Sequence, residues 1–365
     1  MNLGAQQASR ASGARLGVIT STLVGLLVGL GSLPGNAEPP GVDVAAASSE
    51  RNLIEAPDEV LDRLIRMNDA VRERSYRATY VQVRDGRLLS LRISHGERDG
   101  SDVEHLQSLN GPRLEVIREG GRVFHIWPEH QVAMVDASDR GTSFPVVLPD
   151  IGRGITDHYH LLLGPLERVA GRPAQRVVLE PRDTLRYGYE LWLDQATGIL
   201  LNFRLVDLDG SAVKEVLFVD IEFFDELPER AAKGELNLDG YSLFRQERKR
   251  VAESTERQVW RFAELPPGFA RVGHSKRELP NGDGPVHHLV VSDGLASVSV
   301  FIEPKAPQTG LEGRESMGSL NTFWCTIGGF RLMAMGEAPT DTVEQVGRAI
   351  RGPGGAQCAG RPMNG

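Results

Sequence analysis

Cysteine is nearly absent: Cys325 and Cys358 are the only two in 365 residues. So few thiols exclude a disulfide-built scaffold, and no zinc-module spacing is present. Whether the two pair is open on sequence alone. Cys325 sits in the apolar run Phe323-Trp324-Cys325-Thr326-Ile327, Cys358 in a Gly/Pro-rich end, and spacing fixes no geometry. An excess of positive charge is missing too. Lys and Arg number 41 against 49 Asp and Glu, a formal net charge of −8, which argues against a nucleic-acid partner. There is no Gly-x-Ser-x-Gly elbow, no Gly-rich phosphate loop behind a strand and no fixed-period repeat. Asp157-His158-Tyr159-His160 places two histidines at i, i+2 but offers no third ligand at a recognisable spacing, so surface histidines are the reading. His287 and His288 point to opposite faces of a strand. No catalytic constellation, metal site or cofactor is expected. The chain reads as a protein that binds.

Long apolar runs are scarce as well. One uncharged stretch, Leu16 to Leu33, follows Arg10 and Arg15 and precedes Pro34-Gly35-Asn36-Ala37. A basic start, an apolar centre and a small-residue end describe a secretory signal over 1–37, cut after Ala37. A retained membrane anchor is the alternative, because the run is just long enough to span. Removal of 1–37 takes away two arginines and no acids, so the body's charge falls to −10.

What is present is alternation. Residues 38–56 are small and polar, a disordered spacer. Val60, Leu61, Leu64, Ile65 and Val71 recur at helical spacing, predicting an amphipathic helix over Asp58 to Arg74. From Tyr76 the period is two, through Val83, Leu88 to Ser94, the hairpin Leu114 to Trp127 around Gly120-Gly121, and Gln131 to Val135. Pro145 to Gly164 breaks the pattern and predicts a loop with room for a short helix. Strands return from Gln175 to Phe224, with LWLDQATGILLNFRLVDLDG (Leu191 to Gly210) forming a hairpin at Asp194-Gln-Ala-Thr-Gly. One helix and many antiparallel strands make a first body over 57–224. A curved half-barrel partly closed by helices is its economical form. Residues 225–239 read as an interdomain linker. A smaller antiparallel body follows over 240–351, with a hairpin at Asp293-Gly294 and a C-terminal helix from Thr340, its N-cap, to Ile350. Residues 352–365 read as a flexible tail. The fold class is mainly β (α+β). Larger side chains of the first body, Tyr80, Phe124, Trp127, Met134, Phe144, Trp192 and Phe203, are candidates to line an apolar cavity. The basic run Arg245 to Arg250 reads as a solvated face.

Several stretches resemble the RseB/MucB family of sigma-E factor regulatory proteins. They are Val169 to Leu201 (VAGRPAQRVVLEPRDTLRYGYELWLDQATGILL), Leu265-Pro-Pro-Gly-Phe269 after Trp260, Ser292 to Glu303 (SDGLASVSVFIE) and Met335 to Thr340. The hairpin Cys325-Thr-Ile-Gly-Gly-Phe departs from that pattern. The resemblance implies a periplasmic protein whose large domain is similar to the lipoprotein-carrier fold. It further implies a smaller domain that binds the periplasmic segment of a membrane-spanning anti-sigma factor and shields it from regulated proteolysis. Lipopolysaccharide or another lipid would release it, and a second copy of the chain is a further partner left open. An exposed-edge argument nominates Trp260, Ser292, Asp293, Gly294, Leu295, Val298 and Val300 for the partner contact. The alternative is a periplasmic lipid or lipoprotein carrier without a regulatory partner.

Overall fold

The computed structural model describes residues 52–84, 87–98, 100–119, 121–137, 148, 153–228, 237–246, 260–278, 284–304 and 312–358. The expected signal stretch, most of the spacer and Phe144 lie outside them. Helix α1 (Pro57–Glu73) starts with a proline that needs no N–H partner there, and Asp58 and Glu59 complement the helix dipole. Its buried stripe is Val60, Leu61, Leu64, Met67, Ala70 and Val71. That stripe lies in one core with Tyr76, Tyr80, Ile93, Leu191, Phe203 and Phe218 of a large sheet.

Among the described residues this sheet has thirteen strands. Ser75–Arg84 is its centre. On one side follows the meander Arg87–Arg98, Ser101–Ser108, Glu115–Glu119, Arg122–Trp127 and Val132–Ala137. On the other side lies Ala212–Phe224, which ends a second meander of Tyr159–Val169, Arg172–Pro181, Gly188–Asp194 and Leu200–Val206. Directly paired residues share a face. The row Ala78, Ile93, Leu106, Val116, His125, Met134 therefore runs along the side that α1 covers, called here the inner face.

Four expectations need correction. Ile54–Glu55, placed in the spacer, pairs with Tyr159–Val169 and forms one edge of the sheet. The loop expected up to Gly164 ends earlier, because that strand starts at Tyr159 and carries Gly164-Pro165 through a register shift between Leu163 and Leu166. A bulge tolerates a proline that cannot join the ladder. Of the stretch read as an interdomain linker, the described residues 225–228 and 237–239 pack on the outer face instead. Leu227 lies on Val103 and Phe224, while Leu238 and Tyr241 pack by Ile117, Ile126 and Ala133. The chain then adds Ser242–Gln246 parallel to Val132–Ala137, so this strand belongs to the large sheet and not to the smaller body expected from 240. A parallel addition needs a long crossover, and a crossover has the composition of a linker.

The fourth correction concerns the tail. Residues 352–358 are fixed: Pro353–Gly355 forms a 3-10 turn, and Cys358 is joined to Cys325 across a separation of 33 residues. The smaller body's main sheet has Ser297–Pro304 and Phe330–Gly336 at its centre. Pro285–Ser292 and Leu320–Ile327 flank them, with Ala270–Glu278 and Gly313–Met317 at the edges. Helix α2 (Thr340–Ala349) covers one face through Val343 and Val346. Its N-cap position is Pro339, not Thr340; the Thr340 hydroxyl donates to Asn321 Oδ1 at 2.9 Å.

The hairpin at Asp194 is built around a buried carboxylate. Asp194 accepts from Arg172 Nε at 2.8 Å and from the Thr197 hydroxyl and amide at 2.7 and 2.9 Å. Burial alone would raise its pKa; the bonds from Arg172 and Thr197 win and hold it below the usual carboxylate value. A depressed folded pKa contributes stability above the unfolded value near 3.9, lost as pH falls through the folded value. Asp194→Asn should thus cost about 2 kcal/mol at pH 7 in urea melts, and the cost should shrink below about pH 4. Reduction of Cys325–Cys358, or Cys358→Ser, should destabilise the smaller body by about 3–4 kcal/mol through the loop it frees, read from melts with and without reductant.

Candidate functional site

The inner face is covered unevenly. Under α1 it is closed: Tyr80 and Phe203 are fully buried. Burial pushes the Tyr80 hydroxyl far above its ordinary pKa, and Glu104 adds to this, so it stays neutral. Toward the edge at Ser242–Gln246 the face opens: Trp127 and Met134 are half-buried there and Phe244 is 58% exposed. Leu89, on the strand beside the central one, is 43% exposed. Phe244 pairs with Met134, which puts it in the same row. An open apolar surface of this kind marks a binding site more often than ordinary solvent-facing sheet.

The cavity candidates therefore divide. Tyr80 and Phe203 are on the inner face as closed core, and Trp127 and Met134 are on its open part. Phe124 is on the opposite face, packed by Ile117, Ile126 and Ala133. Trp192 also points away from Leu191 and Leu193. Its indole N–H donates to Glu167 at 3.0 Å, and the Arg176 guanidinium lies 5.5 Å from its ring. Neither lines the inner face: Trp192 sits opposite Leu191 and Leu193 as the alternation of its strand predicts, and for Phe124 side-chain size does not say which face alternation selects. The sequence places Leu89 on one face with Leu91 and Ile93, and the register agrees, but neither Leu89 nor Phe244 is among the expected cavity residues.

The partner candidates occupy another kind of place. Val298 and Val300 are fully buried in a central strand, so the exposed-edge argument does not apply to them. Trp260 is core, edge-on to Phe330 at 5.1 Å. The turn Ser292 to Leu295 is the joint between the two bodies. Asp293 and Arg186 have fully buried side chains 3.4 Å apart. Arg186 also meets Asp183 at 3.1 Å and donates to the Pro267 carbonyl at 2.7 Å. Its guanidinium lies over the rings of Tyr159 and Phe269. Tyr159 donates to Asp293 at 3.3 Å. Burial, then Tyr189, then Asp293 drive the Tyr159 pKa well up, so it remains a donor. Around this pair lie three further bonds. Asn321 Nδ2 donates to the Tyr187 hydroxyl at 2.8 Å, Thr342 to the Leu185 carbonyl at 2.8 Å, and Lys214 to Glu337 at 3.0 Å.

Sequence reasoning singled out Asp293 as a turn residue and missed Arg186. An arginine beside Tyr187-Gly188-Tyr189 carries no local mark of burial. His160 shares Glu55 and Arg182 at 3.3 and 3.1 Å, an exposed polar group. Among the described residues, no three His, Cys, Asp or Glu side chains gather as a metal site would. The described residues thus combine a partly exposed apolar face with a buried charged joint.

Fold and joint together define a large curved β sheet with one covering helix, fastened through a buried ion pair to a smaller sheet with its own helix. The MucB/RseB N-terminal domain matches residues 59–236 and the MucB/RseB C-terminal domain matches 254–351. The sigma factor AlgU regulatory protein MucB of Pseudomonas aeruginosa is 33% identical over 301 residues, 81% of this chain and 92% of that protein. The sigma-E factor regulatory protein RseB of Escherichia coli K12 is 23% identical over 292 residues, 79% and 89% of the two chains. Among solved structures, MucB in the P. aeruginosa MucA/MucB complex superposes with a TM-score of 0.63 at 29% identity. That match covers 81% of this chain and 99% of that one. The chain belongs to the MucB/RseB family.

A buried charge left alone is costly. Asp293→Ala should destabilise the protein by about 3 kcal/mol in denaturant titrations, because Arg186 keeps its charge. The double substitution Arg186→Met with Asp293→Ala should recover much of that loss, a coupling that a double-mutant cycle reads directly.

Proposed function

We propose that this chain is a periplasmic negative regulator of a sigma-E-type envelope stress response. It binds the periplasmic segment of a membrane-spanning anti-sigma factor and shields that segment from regulated proteolysis. Lipopolysaccharide or another lipid releases it. The observation that carries the reading is the alignment of both bodies, in order, with a MucB seen in complex with MucA. The signal-like residues 1–37 support export, and the partly open apolar inner face supports a lipid ligand. Physically this is a linkage: a lipid displaces the partner only if it binds the unpartnered state better, and the partner then weakens the lipid by the same factor. A carrier without a partner would use the same face, but the buried ion pair that fastens a whole second body is unexplained by that role.

The test uses the chain from residue 38 and the periplasmic segment of the host's anti-sigma factor, by calorimetry with and without lipopolysaccharide. Binding at micromolar or tighter Kd, weakened at least fivefold by lipid, is expected. Lipid binding with no partner binding would leave a carrier.

A further inference from the structure

One apolar side chain of the smaller body lies in the core of the larger. Leu295 is 7% exposed and belongs to the cluster that contains Tyr159, Tyr189 and Phe203. It projects from a turn that is internally stiff. Asp293 Oδ1 accepts the amides of Leu295 and Ala296 at 2.9 and 2.8 Å. The Ser292 hydroxyl accepts from the Gly294 amide at 3.0 Å and donates to the Ala296 carbonyl at 2.8 Å. Gly294 takes a φ of 105°, which favours glycine. The second carboxylate oxygen of Asp293 faces outward to Arg186 and Tyr159. One carboxylate thus holds the turn's shape with one oxygen and clamps it to the larger body with the other.

We propose that the turn Asp293–Gly294–Leu295 is an internal ligand of the larger body. Leu295 fills one end of the apolar inner face, the space an amphiphile's acyl chain takes, and the Arg186–Asp293 pair sets how readily the turn withdraws. This rests on the lipid reading above and adds its route. The chain of a bound amphiphile and Leu295 compete, so occupancy of the face is felt at the joint between the bodies. The chemistry fits both occupants, since each is a branched or linear hydrocarbon leaving water for the same aromatic-lined core. A stiff turn suits the role, because it leaves as a unit rather than fraying.

The test is titration of the chain from residue 38 with 11-(dansylamino)undecanoic acid, followed by fluorescence. Asp293→Asn leaves Leu295 in place and creates no cavity, but turns an amide toward Arg186. It should bind the probe about tenfold more tightly than wild type, about 1.4 kcal/mol. Leu295→Met, which keeps the plug, should stay within about twofold of wild type. Hydrogen exchange gives a second readout that a merely structural joint would not move. Saturating probe should speed exchange in the wild-type peptide spanning Val290 to Val298, because the withdrawn turn, still bonded within itself, loses the cover of the larger body and meets water. Equal probe affinity for wild type and Asp293→Asn, with unchanged exchange, would overturn the plug and leave the lipid reading standing. Absence of binding to either protein would remove both.

Discussion

The joint depends on the buried charge of Arg186. A guanidinium with no exposed side-chain surface must be surrounded by acceptors, and one strand-turn cannot supply them all. Asp183 comes from its own loop, the Pro267 carbonyl and Asp293 from two turns of the smaller body, and two rings close the remaining sides. The smaller body is thus tied to the larger by these charged contacts and by Leu295 in the larger core. The turn Leu265-Pro-Pro-Gly-Phe269 meets the larger body at two points, the Pro267 carbonyl on Arg186 and Gly268 beside His158. A Cβ at Gly268 would stand 2.5 Å from the His158 ring, so the chain passes there only as glycine.

The same constraint divides the large sheet into two unlike ends. Near Tyr159, Tyr189 and Phe203 the inner face is sealed by α1 and by Leu295 from the smaller body. At the other end the chain spends its cover on the outer face, where the crossover lays Leu227, Leu238 and Tyr241 against the sheet. The last strand added there, Ser242–Gln246, extends the edge and contributes Phe244 to the inner row. One end is thus closed by the second body and the other left open.

Local features were readable in the sequence; their partners were not. Alternation placed the strands, and α1 falls within a residue of its predicted span because spacing, proline and acids agree. The Asp194 turn and the Asp293-Gly294 turn were legible because turn chemistry is local. The long crossover was read as a linker because both are polar and broken by proline and glycine. Alternation places Trp192 opposite Leu191 and Leu193, but Trp192 and Phe124 do not line the inner face, because the size that nominates an aromatic for a cavity does not encode direction. Arg186 was invisible because its partners lie about 80 to 110 residues away in the chain, at Pro267 and Asp293. Cys325 and Cys358 left pairing open, since only the fold brings two backbones to a Cα separation of 5.7 Å.

The distribution of polar groups at the joint bears on how a regulator of this kind can switch. A joint sealed by apolar area alone would open gradually and at a cost set by its size. A joint centred on one ion pair opens between two discrete states, because half-separated charges in a dry site are worse than either a closed pair or a hydrated one. The surrounding bonds, from Asn321, Thr342 and Lys214, each couple a side chain to the other body and are lost together once the pair parts. Such a two-state element is what linkage requires between two binding surfaces on one chain. It needs only differential affinity for the two states, and no contact between the two ligands.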